Sequence, residues 1–470
     1  MISDYFLQKV KIHFGLTPTR QQDEALEAIV DFLYSRASDN LFLLKGYAGT
    51  GKSSLIGALV ATMSELKQKS VLLAPTGRAA KVFSAYAGQP AFTIHKKIYR
   101  QQRFSGESDG FSVMDNLHKD TLFVVDEASM ISNDGLDSSI FGTGRLLDDL
   151  IHYVYSGENC RLLLIGDTAQ LPPVGQEFSP SLQKEVLSGY GLQITEYTLT
   201  QVVRQAENSG ILYNATNIRN ILNSGETEAY PKLKLEGFSD VFRINGLELI
   251  EELNSAYDRD GVEETMVISR SNKRANIYNQ GIRNQVLFRE EELSSGDLVQ
   301  IVKNNYLTSE EIEGVDFLAN GEIVEILRVR RTTEMYGFRF CDVLIRHLDY
   351  GIEMEMKILL DTLYSETASL SREKQNELYI NVMNDYADIT NKQEKYKKLK
   401  IDPFFNALQV KYGYAVTCHK AQGGEWKNVF LDLGYIAEEH LGINFYRWLY
   451  TAFTRATSRL YLVNLPDEFL

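Results

Sequence analysis

Residues 46–54 read GYAGTGKSS, and residues 41–44 just before them read LFLL. The stretch fits G-x-x-x-x-G-K-[ST], with Gly46, Gly51, Lys52 and Ser53 in register. Three glycines in six residues let the backbone curl with its N–H groups inward, a nest for phosphate oxygens. Leu55, Ile56, Leu59, Val60 and Met63 then recur at helical spacing, so a buried helix begins where its dipole adds to the same site. In this arrangement Lys52 reaches the β- and γ-phosphates of a nucleotide and Ser53 holds Mg²⁺. The loop alone names no reaction. A kinase, a GTPase, a transporter subunit or a motor all use one.

The 470 residues are enough for two or more domains, and 44% are hydrophobic, enough for real cores. No run of eighteen apolar residues appears, and the first residues, MISDYFLQKVKIHF, lack the apolar core of a signal peptide. Cys160, Cys341 and Cys418 stand far apart and suggest neither disulfides nor zinc; they fit a reducing, cytoplasmic setting. The net charge of −14 argues against a nucleic-acid partner if taken alone. A motor on a strand needs only a local basic track, so global charge decides little.

Short apolar strands recur, each followed by polar motif residues: LFLLKG (41–46), SVLLAPTGRAA (70–80), TLFVVDEAS (121–129) and RLLLIGD (161–167). Helical patterns lie between them. Alternation of this kind predicts a doubly wound parallel sheet with ligands at the carboxyl ends of its strands. A second α/β unit is read from 264–283, 428–433 and 459–465. Between its parts, residues 286–365 read as short strands with turn signals, a small β-barrel. Residues 370–399, charged and free of Gly and Pro, read as one or two exposed helices.

VVDEAS places Asp126 and Glu127 at the end of an apolar strand. Hydrolysis of a nucleoside triphosphate needs one carboxylate near Mg²⁺ and another to polarise water, and Asp126 and Glu127 suit those roles in that order. GDTAQLPPVG follows a second such strand. If the two strands are neighbours, Asp167 and Gln170 come beside the metal and the γ-phosphate, where Gln170 can bond both water and phosphate.

Taken in order, GYAGTGKSS, APTGRAAKVFS, TIHKK, VVDEASMIS, GDTAQLPPVG, LTQVVRQ, YAVTCHKAQGGEW and YTAFTRA resemble the ordered motif set of superfamily-1 helicases. The nearest branch is the RecD-like and Dda-like DNA helicases, which move 5′ to 3′. The likeness runs from about residue 16 to 465. It implies two RecA-like domains with ATP and Mg²⁺ sandwiched between them. By this resemblance Lys52, Glu127, Gln170, Arg204 and Arg455 serve catalysis, the two arginines reaching in from the second domain. Gln22 reads the adenine, with Gln21 one residue away. Gly46, Gly49, Thr50, Gly51, Ser53 and Ser54 hold phosphates, and Gly424 and Glu425 meet the ribose and γ-phosphate side. Ser53 and Asp126 take the metal. Thr76, Gly77, Arg78, Thr93, His95, Thr417, His419 and Lys420 face the nucleic-acid strand.

The resemblance also sets expected boundaries. The first RecA-like domain takes 1–98 and 119–196, and the second takes 197–285 and 403–470. Residues 99–118 form a strand-separating hairpin, and 286–402 an SH3-like module with the helices at 370–399. The implied partners are single-stranded and forked duplex DNA, with no membrane, and the chain is expected to act as a monomer. The residues themselves do not separate DNA from RNA; only the branch favours DNA. An RNA helicase or remodeller, and a clamp that binds nucleic acid under ATP control without unwinding, are the alternatives. Intact Glu127 and both arginines weigh against the clamp.

Overall fold

The computed structural model describes residues 2–101, 111–135, 141–203, 208–306, 317–348, 351–367 and 369–470. The first sheet has six parallel strands, in the order Ala91–Thr93, Lys69–Ala74, Thr121–Val125, Arg161–Gly166, Asn40–Gly46, Gln193–Leu199. The second has five, in the order Ala415–Thr417, Thr265–Ser269, Trp426–Asp432, Ala456–Val463, Val241–Ile244, again all parallel. Central strands such as 41–44 and 162–164 are apolar at every position because helices cover both faces of a parallel sheet. This is the doubly wound architecture expected from the alternating pattern.

The β-rich segment is a closed five-stranded barrel of Leu298–Ile301, Ile323–Met335, Phe338–His347, Glu353–Leu359 and Leu408–Tyr412. Its closing strand lies past residue 402, beyond the expected end of the module. Leu408–Tyr412 pairs antiparallel with Leu298–Ile301 and parallel with Glu353–Leu359. Closure removes both sheet edges. The expected exposed helices form as Arg372–Asp385 and Lys392–Ile401. They bury Leu378, Val382 and Leu399 against Phe338 and Phe340 of the long barrel hairpin.

One buried acid seats the barrel on the second sheet's flank. Asp297 is fully buried and is paired by Arg283 (3.0 Å) and Arg289 (2.6 Å), with the Tyr414 hydroxyl donating at 2.8 Å. Removing one partner of a buried ionic cluster leaves an uncompensated charge, here the Arg283 guanidinium. Asp297→Ala is therefore expected to cost about 3–5 kcal/mol in denaturant unfolding. A loss within experimental error of zero would mean that the barrel is seated by apolar contacts alone.

The expected hairpin is present at its stem. Tyr99–Gln101 pairs antiparallel with Phe111–Val113, and residues 102–110 lie outside the described residues. The stem is anchored from below. Tyr99 donates to buried Asp149 (2.7 Å), which also accepts from Thr143 N (3.0 Å). Phe141 packs on Tyr99 and Phe111 at ring distances of 5.0 and 4.8 Å.

Candidate active site

Three adjacent strands of the first sheet end at one edge and deliver the chemistry. Asn40–Gly46 runs into the loop, Arg161–Gly166 into Asp167, and Thr121–Val125 into Asp126 and Glu127. The loop needs its glycines. Gly49 and Gly51 sit at φ +73° and +83°, the left-handed region that side chains avoid. A Cβ on Gly46 would lie 2.9 Å from the Lys52 stem, and one on Gly51 2.4 Å from Gln22 Nε2. Helix Lys52–Glu65 starts without a side-chain cap, so its first N–H groups are directed at the loop. Lys52 Nζ donates to Gly46 O (2.7 Å) and Tyr47 O (2.9 Å), folded across the nest.

The second sheet forms the facing wall. Arg455 is 2% exposed and held by Thr451 O (3.0 Å) and Gly424 O (3.1 Å). Its Nη1 stands 3.8 Å from Glu127 Oε1, across the cleft. Gln170 completes the bridge: with its amide oriented to suit both neighbours, nitrogen donates to Glu127 Oε2 (3.2 Å) and oxygen accepts from Arg455 Nη2 (3.1 Å). Two further bonds tie the walls at Leu171, whose N donates to Thr451 Oγ1 (2.9 Å) and whose O accepts from Gln422 Nε2 (2.8 Å). The cleft between them measures about 410 Å³ and is lined by Lys52, Ser53, Asp126, Glu127, Gln170 and Arg455, among others. A cleft of this size is in the usual range for a bound small molecule.

Asp126 accepts from the Tyr86 hydroxyl (2.6 Å) and from Glu127 N (2.8 Å). Burial and the adjacent Glu127 charge push its pKa up. A desolvated carboxylate with a second one beside it favours a cation. The Ser53 hydroxyl on the same cleft adds a hard oxygen donor, so the set suits Mg²⁺. Among the described residues no three His, Cys, Asp or Glu side chains cluster as a metal cage. Ser53 and Asp126 would thus hold the ion together with the nucleotide's own oxygens. Glu127 is in the left-handed region at φ +50°, a costly conformation for a residue with a side chain, and such strain gathers at functional sites.

Other expected residues take different positions. Gln22 does not line the cleft. It is buried, accepts from Thr19 N (2.9 Å) as part of a capping box, and donates to Thr50 O (2.9 Å), so its amide braces the phosphate loop. Gln21 is spent on the backbone of Thr200 and Gln201. Thr50 is fully buried and donates to Tyr47 O (2.8 Å), while Gly49, Ser54 and Glu425 line the cleft. Arg204 lies outside the described residues.

Of the strand-facing set, Thr76, Gly77, Arg78 and Lys420 share a second, smaller cavity of about 40 Å³ with Gln300 and Trp426. Arg78 bridges the two sheets there. It donates to Glu425 O (3.0 Å) and stacks 5.3 Å over Trp426. Thr93 is buried and caps the helix Ile94–Ile98. His95 is set against two aromatic rings. It packs between Phe141 (4.9 Å) and Tyr99 (5.6 Å) under the hairpin stem, and desolvation lowers its pKa to about 4, so it is neutral near pH 7. Thr417 stands at the start of the short helix Cys418–Ala421 without a side-chain cap bond, and that helix carries exposed His419 and half-buried Lys420.

Tyr86, Thr451 and Gln422 were not singled out by sequence reasoning. Thr451 and Gln422 sit inside YTAFTRA and HKAQGGEW and were within reach of it. Tyr86 carries no local signal, since its partner is set by how a helix lies on the sheet.

Comparison with known proteins agrees with this geometry. Residues 18–233 match the model of an AAA domain, and residues 412–463 that of the UvrD-like helicase C-terminal domain. The two models cover the two walls of the cleft. In these matches the chain is similar to superfamily-1 helicases of the RecD-like branch. This is a family of ATP-dependent helicases. The ATP-dependent RecD2 DNA helicase of Deinococcus radiodurans is 25% identical over 453 residues, covering 94% of this chain and 50% of that protein. The RecBCD enzyme subunit RecD of Buchnera aphidicola subsp. Schizaphis graminum is 22% identical, covering 92% of this chain and 71% of RecD. The chain therefore spans half the length of the RecD2 helicase it matches. A Pif1 helicase from Bacteroides, solved with ADP-AlF3 and single-stranded DNA, is 15% identical with a TM-score of 0.43, covering 97% of this chain and 94% of that one. Among the described residues no helix is long and apolar enough to cross a membrane.

Proposed function

We propose that this chain is an ATP-driven DNA helicase that moves 5′ to 3′ along single-stranded DNA and opens duplex ahead of it. The observation that carries the reading is the Arg455–Gln170–Glu127 contact, which joins one sheet to the other across the cleft that holds the phosphate loop. A site built from both sheets exists only when they are together. Binding ATP then favours closure, and loss of the γ-phosphate favours opening, so turnover becomes a cycle of motion.

In this reading Lys52 and the loop amides hold the β- and γ-phosphates, and Ser53 and Asp126 hold Mg²⁺, which neutralises phosphate charge when bound. Glu127 orients and deprotonates the attacking water, and Gln170 reports whether the γ-phosphate is present. Arg455 offsets charge that develops on the transferred group, with Arg204 as its expected companion. Thr76, Gly77, Arg78, Thr93, Thr417, His419 and Lys420 form the strand track. Lys420 is depressed to about 8 by burial and by nearby Lys411, and a strand phosphate beside it would restore its full charge. The hairpin with its stem at 99–101 and 111–113 is the separating pin. Action as a monomer, with ATP and Mg²⁺ as cofactors and forked DNA as substrate, completes the proposal. An RNA helicase or a remodeller of the same family is the second reading.

The deciding experiment measures ATPase with and without single-stranded DNA or RNA, then unwinding of duplexes with a 5′ or a 3′ tail. Stimulation by RNA alone, or unwinding only from a 3′ tail, would refute the proposal. A track of phosphate contacts also predicts salt-sensitive, sequence-blind binding. The log–log slope of affinity against salt is expected at about −0.7 per neutralised phosphate. Fluorescence anisotropy with mixed-sequence oligonucleotides checks this, and affinity indifferent to salt would remove the track.

A further inference from the structure

Phosphate loops are ordinarily described as part of one domain, with the second domain contributing only groups that touch the nucleotide. Here the loop itself is gripped from the other sheet. Tyr47 and Ala48, its two non-glycine residues between Gly46 and Gly49, pack against the second sheet's core. The Tyr47 ring lies 4.5 Å beneath the Arg219 guanidinium, from the helix Gly210–Ser224. Ala48 N donates to the Tyr450 hydroxyl (2.8 Å), and that hydroxyl donates to Asp167 Oδ2 (2.6 Å). Tyr450 comes from the helix Ile443–Phe453 and is 1% exposed. A single buried hydroxyl therefore joins the phosphate loop, the neighbouring strand end and the opposite wall.

Arg219 is 8% exposed, its Nε has no partner, and its remaining bonds are long, 3.4 Å to Thr200 O and 3.3 Å to Asn220 Oδ1. No carboxylate pairs with it among the described residues. Its energetic return comes from the Tyr47 ring, in a desolvated setting where such contacts are strongest. Parting the sheets would free Arg219 to water, and it would strip Ala48 N and Asp167 of their shared partner.

We propose that Tyr450 and Arg219 are positioning residues that clasp the phosphate loop and set how fast the cleft opens to release nucleotide. The proposal rests on the nucleotide-site reading above and adds the control of that site. Tyr450→Phe keeps the ring in the core and deletes the hydroxyl. In the closed cleft the half-buried Ala48 N–H and the buried Asp167 carboxylate then lose that partner, whereas in the open cleft both meet water. The substitution penalises the closed state alone. Arg219→Gln, on a different helix, weakens the grip on Tyr47 by an independent route.

The test is stopped-flow release of a fluorescent, slowly hydrolysed analogue, mant-ATPγS, from the full chain without nucleic acid. Loss of one hydrogen bond to a charged group is worth about tenfold in an equilibrium, so Tyr450→Phe is expected to speed release about tenfold. Arg219→Gln is expected to shift release in the same direction, with binding stoichiometry and melting temperature kept near wild type. Wild-type release rates in both variants would overturn the clasp. So would faster release that is accompanied by an equal loss of binding-competent protein, which marks a merely structural role. Failure of the wild-type chain to show nucleic-acid-stimulated ATPase would sink the helicase reading and leave this result standing.

Discussion

Glu127→Gln is expected to stop turnover while nucleotide still binds. The substitution keeps the size and shape of a side chain that stands 3.8 Å from Arg455 Nη1 and within reach of the Gln170 amide. It removes the carboxylate proposed above to take the proton from water. General-base catalysis is worth about 10²–10⁴-fold in rate, and the steady-state ATPase should fall by a factor in that range. Affinity should hold, because Lys52, Ser53, Asp126 and the loop amides are untouched. Equilibrium binding of mant-ATP beside a phosphate-release assay tests both halves. Loss of binding together with turnover would make Glu127 a ligand and leave the base unidentified.

Arg455→Lys is expected to be nearly as severe, for a different reason. Lysine keeps the charge and loses the planar fork. Arg455 uses three separate nitrogens: Nε to Thr451 O, Nη1 to Gly424 O and toward Glu127, Nη2 to Thr454 Oγ1. A point charge on a flexible stem cannot satisfy all of these at once. Arginine fingers are worth about 10³–10⁵-fold in rate, and DNA-stimulated turnover should drop by at least the lower figure. A lysine variant that turns over within a few-fold of wild type would show that charge alone suffices, and Arg455 would then be only an interface residue.

Much of this site was legible in the chain, and its limits have physical causes. A phosphate loop is contiguous, its glycines answer to backbone angles, and its lysine sits at a set distance along the chain. The strands that end in Asp126 and Asp167 announced themselves as apolar runs, because a sheet covered on both faces admits nothing else. Their adjacency in the sheet is the condition for Gln170 to reach its partners, and the two strands do pair. Where single residues were assigned one by one, contacts distant in sequence intervened. Gln22 donates to Thr50 O from 28 positions away, and His95 packs on Phe141 from 46 positions away. The strand Leu408–Tyr412, buried at all five positions, reads alike as a parallel core strand or a barrel strand, and only its pairing tells which.

By itself, then, the sequence determined the two nucleotide-style sheets, the inserted barrel and the order of the chemical groups along the chain. These depend on local period and on residues a few positions apart. The tertiary structure alone decided which groups meet. Arg455 faces Glu127 from 328 positions away, and Tyr450 stands between Ala48 and Asp167 from 402 and 283 positions away. Such meetings follow from how two separately packed cores lie against each other. That is fixed by the shape of buried side chains in three dimensions, which no periodicity along one dimension records.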